Sequence, residues 1–479
     1  MRSLLRSFVV LLMLARMEQV PAAPLSFHPE RILILPRAAA DRELQRLHAE
    51  HGCRASQCSS TVQLVTLAQG DSVEEAVARY QSSGLVHFAE PDYVVSAAGT
   101  FPNDPRLADG TQWWLNNFGQ DGGTAGADID AKLAWDVVRT ASNVVIAIVD
   151  SRVRHTHADL LENIWRNPAD GTPGFNALTG GHDPWDNYGH GTHLAGIIGG
   201  VADNAEGISG VAWRTSIMAC KFLNAFGNGF NSHAVACIEF ARTNGARVIN
   251  LSWGGSTFSA AVSNAIWLAR LDGIVVAAAA GNNATNVDNA PFYPACIRLD
   301  NIVSVAASTR FDTPWNFSNH GPTNVHLFAP GSEMFSTGIN SDTDYSTREG
   351  TSAASAVVVG ALALMSPSAS GLNPQQLINR LLSATDTINT FTNLCVSGGR
   401  LNLRRALDHP ALSIVSHSLP LTLHVAGPPG HVYCMATSSN LLDWLPLQTN
   451  TVGSDGAWTF ADPASSPAPA RYYRVEPGR

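Results

Sequence analysis

The feature that most constrains this chain is a set of apolar runs that do not alternate with polar residues. "NVVIAIVD" (143–150), "SIMACKFL" (216–223), "ARVINLSW" (246–253), "GIVVAAAAGN" (273–282) and "NIVSVAAS" (301–308) each contain a run of strand length. A strand with one wet face would read apolar, polar, apolar. These do not, so both of their faces must be buried. Helical stretches separate them, among them "HGTHLAGIIGG", "NSHAVACIEFARTNG" and "SAAVSNAIWLARLDG". That alternation specifies an α/β domain built on a doubly wound, mostly parallel sheet. Ligands of such sheets bind beyond the carboxyl ends of the strands. Asp150, Trp253 and Asn282 all fall at such ends.

The 479 residues correspond to about three domains by length, and four segments are legible. Residues 1–22 have the pattern of a secretion signal. Arg2 and Arg6 open it, Phe8 to Ala15 form an apolar core, and Val20-Pro21-Ala22 ends it with small residues. No apolar run is long enough to span a bilayer, so the expectation is an exported protein with no stable membrane anchor. Residues 23–99 read as a small α+β segment. "RILILP" is a strand, "DSVEEAVARY" a helix with Ser72 and Glu75 at capping-box spacing, and "LVHFAEPDYVV" a strand interrupted by Pro91. Residues 100–409 hold the α/β domain. Residues 412–479 read as a small β module, with "LTLHVA", "HVYCMAT" and the turn "GPPG". Trp444, Tyr472 and Tyr473 are expected to pack in its core rather than face a carbohydrate.

Charge and cysteines narrow the function classes. A formal charge of −9 argues against nucleic acid as a partner. Seven cysteines leave at least one unpaired within the chain, although export permits disulfides. Cys53 and Cys58 are spaced to close a small loop. Cys220 and Cys237 sit in apolar runs and read as plain buried thiols, while pairing among Cys296, Cys395 and Cys434 stays open.

Three stretches carry chemistry together: Asp150 at its strand end, "NYGHGTHLAG" (187–196) with His190 and His193, and "GTSAASAVVVGALAL" (350–364) with Ser352. A serine hydroxyl is a poor nucleophile until a base removes its proton. An imidazole does this near neutral pH, and a buried carboxylate fixes its tautomer. Gly189, Gly191 and Gly350 allow tight turns beside a substrate. The order Asp, His, Ser is one of the known triad orders.

On these motifs the chain resembles the subtilisin-like serine proteases, the subtilases. The resemblance runs from about residue 102 to 408 through "AIVDS", "HGTHLAG", "INLSWGG", "AAAAGN" and "GTSAAS". It implies a serine endopeptidase working through an acyl-enzyme on protein or peptide substrates. Asp150 would orient the base, His190 would be general base and acid, and Ser352 the nucleophile. His193 would be structural, and Asn282 the oxyanion donor together with the backbone N–H of Ser352. Ser252, Trp253, Gly254 and Gly255 would form an edge strand that pairs with substrate backbone. The neutral, small residues there and at 280–282 point to a broad or apolar preference. The family also implies that residues 23–99 are an inhibitory propeptide, the chain's own intramolecular inhibitor, cut off between about Ser96 and Thr100. One structural calcium ion would be held by Asp104, Asp159 and Asn204 side chains and the carbonyls of Val201, Glu206 and Ile208, a hard-oxygen set suited to Ca²⁺. A monomer is expected.

The chain departs from the family pattern at several points. Arg152 stands where a glycine is usual. If that position needs positive φ, arginine is strained there; if it needs only small size, the side chain must swing out to solvent. A cation beside Asp150 would also compete with His190. Ala353 replaces the usual methionine, Ala356 and Val357 replace Pro-His, and a second calcium loop is absent. None of these removes a reacting group. The competing reading is an inactive subtilase fold kept as a binding or structural protein.

Overall fold

The computed structural model describes residues 27–477, apart from 39, 69, 94–99, 182–184, 368–371, 409–410, 417–419, 428–429, 431, 440–443, 454–456 and 463–470. The signal-like residues 1–22 and most of the expected cut, Ser96–Gly99, lie outside the described residues. The chain divides into two compact units, Met1–Ala98 and Gly99–Arg479.

The first unit is a four-stranded antiparallel sheet in the order Arg54–Gln57, Gln63–Thr66, Phe27–Pro36, Val86–Tyr93, with two helices. Pro91 does not interrupt its strand but stays in register opposite Ile32. The reason is position: this is the edge strand, where a missing N–H leaves no neighbour unpaired. The helix Val73–Ser82 starts at Ser72, whose hydroxyl accepts from the Glu75 N–H. The reciprocal half of the capping box is absent, and Glu74 takes the hydroxyl proton instead. The other helix, Asp41–Glu50, is not anticipated from sequence; it buries Leu44 and His48.

The second unit is built on a nine-stranded sheet. Its order is Asp386–Thr387, Gly399–Arg400, Leu327–Pro330, Ile302–Ser308, Val275–Ala279, Val248–Leu251, Thr140–Asp150, Arg214–Lys221, Gly174–Asn176. All pairs are parallel except the first. The apolar runs explain themselves here. Ile146 and Ile148 face one core, which includes the helices His190–Gly199 and Thr351–Met365, while Ala147 and Val149 face another with Asn231–Thr243 and Ala260–Leu271. Two covered faces make every position of the run apolar. The helix Thr351–Met365 is apolar all round because it is buried all round, and Ser352 alone is partly open.

The C-terminal module has two three-stranded antiparallel sheets around Leu423, Val425, Tyr433, Met435 and Trp458. Of the three aromatics expected in its core only Tyr473 packs against it, donating its hydroxyl to Asp462 at 2.5 Å, while Trp444 lies 4.3 Å under the Arg474 guanidinium. Tyr472 is 40% exposed. All seven cysteines are free thiols, and Cys53 and Cys58 do not close a loop. Among the described residues no helix is long and apolar enough to cross a membrane.

Candidate active site

Asp150 ends its strand fully buried, and the next helix begins at His190. His190 Nδ1 lies 2.9 Å from both carboxylate oxygens of Asp150. Burial pushes the imidazole pKa down, but the adjacent carboxylate outweighs it and holds His190 above its ordinary value. The helix can approach the Asp150 turn because residue 191 is glycine. A Cβ there would meet the Arg152 carbonyl oxygen at 2.1 Å, and the Gly191 N–H donates to Ser151 Oγ at 3.0 Å. His193 is fully buried, bonds the Met334 carbonyl at 2.9 Å, and is pushed down to about 3 by burial. It is therefore neutral and structural.

Ser352 occupies the first turn of its helix. Such N–H groups have no intrahelical acceptor, which leaves the Ser352 N–H to serve an anion. Its hydroxyl donates to the Ser252 carbonyl at 3.2 Å. The hydroxyl is thus engaged by Ser252 rather than by His190, and catalytic hydrogen bonds often form only once substrate is bound. His190, Ser352 and Asn282 line one cavity of about 370 Å³. Asn282 is aimed by its neighbour: its Oδ1 accepts from the Thr351 N–H at 3.0 Å and the Thr351 hydroxyl at 2.8 Å. That leaves Nδ2 as the free donor. Gly350, at φ +136°, passes so close that a Cβ would lie 3.0 Å from Nδ2. Asn282→Ala is expected to lower kcat by ~10²–10³-fold, a figure set by oxyanion donors in a subtilisin, with KM little changed. Steady-state kinetics on a peptide substrate check it.

Residues 252–255 extend beyond the carboxyl end of Val248–Leu251, a central strand of the main sheet rather than an edge strand. Ser252 and Trp253 lead to a second cavity of about 440 Å³, lined by Phe222, Trp253, Gly254, Tyr293 and Ile297 among others. Gly255 is committed elsewhere. Its N–H and carbonyl pair with Tyr293 at 2.9 and 2.8 Å, so it has none to offer a substrate on that side.

The six residues expected around calcium come together. Asp104 accepts from the N–H groups of Asp203 and Asn204. Asp159 accepts from the Ile208 N–H, the Tyr345 hydroxyl and the Asn204 side chain, and its carbonyl takes the Val201 N–H. The Glu206 N–H donates to Asn204 Oδ1. Asp104 and Asp159 are both 0% exposed. Burial, with the charges of Asp159 and Asp203 added, pushes Asp104 up to about 6. Among the described residues no cationic side chain pairs with either carboxylate. Two buried carboxylates without a cationic partner suit a divalent cation, although among the described residues no third His, Cys, Asp or Glu joins them as a metal-holding group.

The Subtilase family matches this chain over residues 141–403, more than half its length. The chain belongs to the subtilase family. A thermophilic serine proteinase from Bacillus sp. (strain AK1) is 34% identical over 71% of this chain and 77% of that one. Thermitase from Thermoactinomyces vulgaris is 32% identical over 59% of this chain and 94% of its own. Among solved structures, a protease from Pseudoalteromonas arctica superposes with a TM-score of 0.55 at 28% identity, covering 64% of this chain and 98% of that one. The protein is a serine endopeptidase acting on protein or peptide substrates.

As a subtilase it carries an unusual Arg152. The backbone there has φ +98°, so arginine stands in a conformation that favours glycine, at ~1–3 kcal/mol of strain. Its side chain is nevertheless 0% exposed and does not swing out to solvent. Its charge acts on the Cys237 thiol, and the largest charge effects on His190 are those of Asp150, Arg348 and Asp186. Three supporting residues escape the sequence reading. Thr351 aims Asn282. Asp186 accepts from the N–H groups of Tyr188, Gly189 and Thr192 and fixes the turn into His190. Lys221, beside Asp150 in register, donates to the Ser151 carbonyl at 2.8 Å and to Asn187 at 3.0 Å. Thr351 and Lys221 act through contacts distant in sequence, whereas Asp186 bonds residues two to six positions on.

Proposed function

We propose that this subtilase is secreted as a zymogen and hydrolyses peptide bonds through Asp150, His190 and Ser352, with Asn282 as oxyanion donor. The observation that carries the reading is His190 held at 2.9 Å by both oxygens of buried Asp150, on a cavity it shares with Ser352 and Asn282. Ser352 Oγ adds to the scissile carbonyl carbon as His190 Nε2 takes its proton. Asp150 stabilises the imidazolium, while Asn282 Nδ2 and the Ser352 N–H receive the oxyanion. Collapse returns the proton from His190 to the leaving amine. Water then attacks the acyl-enzyme with the same base. The neighbouring 440 Å³ cavity, lined by Phe222, Trp253, Tyr293 and Ile297 together with Asn228, Asn231, Ser256 and Thr257, carries no charged side chain and would receive an uncharged side chain on the acyl side.

Residues 23–99 act in this reading as an inhibitory propeptide, removed by the enzyme itself, after export directed by residues 1–22. Expression of the precursor under oxidising conditions, read by intact mass and casein cleavage, tests this. The chain is expected to lose its N-terminal segment up to near Thr100 and then to cleave casein. A folded chain that stays full-length and inert would support the inactive-scaffold alternative.

Asp104, Asp159 and Asn204, with the carbonyls of Val201, Glu206 and Ile208, would hold one calcium ion whose charge offsets the buried carboxylates. In the present arrangement Asn204 offers Nδ2 to Asp159, so ligation through Oδ1 would turn its amide. Chelation at pH 8 is expected to lower Tm by ~3–4 °C, the effect of losing a ligand held near 100-fold above its Kd in a unit of this size. Differential scanning with EDTA, then with calcium restored, measures it; an unchanged Tm would remove the ion from the account.

A further inference from the structure

A positioned cation stands on the rim of the catalytic cavity. Arg348 ends the short hairpin Met334–Thr337/Tyr345–Arg348, four residues before Ser352, and lines the cavity with His190 and Ser352. Its guanidinium is held rather than loose. Nη2 donates to the Tyr188 carbonyl at 3.2 Å, and the group lies 5.9 Å from the Tyr188 ring centroid. Most arginines of this unit are spent on carboxylates, for example Arg154 on Asp342 and Arg242 on Glu239 and Asp272. Among the described residues Arg348 has no carboxylate partner. Glu349 lines the same cavity, but it is exposed and solvated, and no ion pair joins the two.

The chemistry decides which half of the substrate meets this cation. In the triad reading the acyl half is bonded to Ser352 and its oxygen lies at Asn282, while the uncharged cavity beside Trp253 and Gly254 is one that Arg348 does not line. The leaving amine must lie at His190, because His190 gives it the proton. Tyr188 and Arg348 flank His190, with the Tyr188 ring 6.2 Å from the imidazole. The charge of Arg348 is also felt at His190, where it opposes Asp150.

We propose that Arg348 selects substrates that carry a carboxylate on the leaving-group side of the scissile bond. The carboxylate is either the side chain of Asp or Glu or the terminal carboxylate of a short leaving peptide. The proposal rests on the triad reading above. A charge-assisted contact of this kind corresponds to ~10–100-fold in kcat/KM.

Quenched peptides with one common acyl half test it. Their leaving halves begin with Asp, Glu, Asn or Lys, and each is made with a free or an amidated C-terminus to separate the two sources of carboxylate. The processed enzyme is expected to prefer Asp or Glu, or the free terminus, over Asn and to disfavour Lys. Arg348→Ala should flatten that ratio and Arg348→Glu should invert it toward Lys. High salt should compress it. Labelling of Ser352 by a fluorophosphonate shows that each variant is folded and that the triad works. Full labelling with equal kcat/KM for Asp and Lys and for free and amidated termini, or a ratio that Arg348→Glu leaves unmoved, overturns the proposal while the triad reading stands. No labelling of the wild type overturns both.

Discussion

Replacing Ser352 with alanine is expected to lower kcat by ~10⁶-fold and to leave the precursor uncut; the magnitude is the one measured in a subtilisin. The size follows from how the groups depend on one another. Without Oγ there is no acyl-enzyme, and neither His190 nor Asp150 has a proton transfer to serve. The remainder, ~10³–10⁴ over water, belongs to Asn282, the Ser352 N–H and substrate binding. Folding should be nearly unaffected. Ser352 is only partly buried, and the bond lost is one to the Ser252 carbonyl at 3.2 Å, worth ~1 kcal/mol. The useful readouts are casein turnover, intact mass and Tm, with wild-type enzyme added in trans. A stable alanine variant that the wild type can cut, but that cannot cut itself, would place the chemistry at Ser352. Self-cleavage at the wild-type rate would move the nucleophile elsewhere.

Much of the central sheet was legible because burial on both faces removes the apolar–polar alternation, as in Ile146 to Val149, where neighbours face different cores. The short strands Leu327–Pro330, Gly174–Asn176, Asp386–Thr387 and Gly399–Arg400 were not, since two to four residues carry no period to read. The reacting groups stood out because glycines and small residues crowd around them. Their supports did not. Thr351 meets Asn282 across 69 residues of chain, and Gly255 meets Tyr293, also distant in sequence, so nothing local announces either pairing. Arg152 shows the limit most clearly. Sequence offers strain or a solvent-facing side chain as alternatives, and the fold combines strain with complete burial.

Asp150→Asn tests the other half of the mechanism and carries the second-largest expected effect, ~10⁴ in kcat near neutral pH. An asparagine nearly preserves shape, so the loss must come from the imidazole. A carboxylate accepts only, and it fixes the His190 proton on Nδ1, leaving Nε2 free to take the Ser352 proton. An amide can present its NH₂ to Nδ1, which puts the proton on Nε2, the wrong side. The pH profile separates this from mere disorder. Burial lowers the His190 pKa and Asp150 more than restores it. The wild-type base should therefore become neutral, and kcat/KM rise, at a pH above the usual imidazole value of 6.5. With that charge gone, burial and the Arg348 charge outweigh what Asp186 restores, and the acid limb should move below 6.5. Stability should change with the opposite sense. A raised histidine pKa contributes stability that is fully present below 6.5 and lost as pH rises through the folded value. The variant should therefore be less stable than wild type at pH 5, and the gap should narrow at pH 9. A profile whose acid limb stays in place, or a loss of activity under tenfold, would mean that Asp150 is not what sets the charge and tautomer of His190.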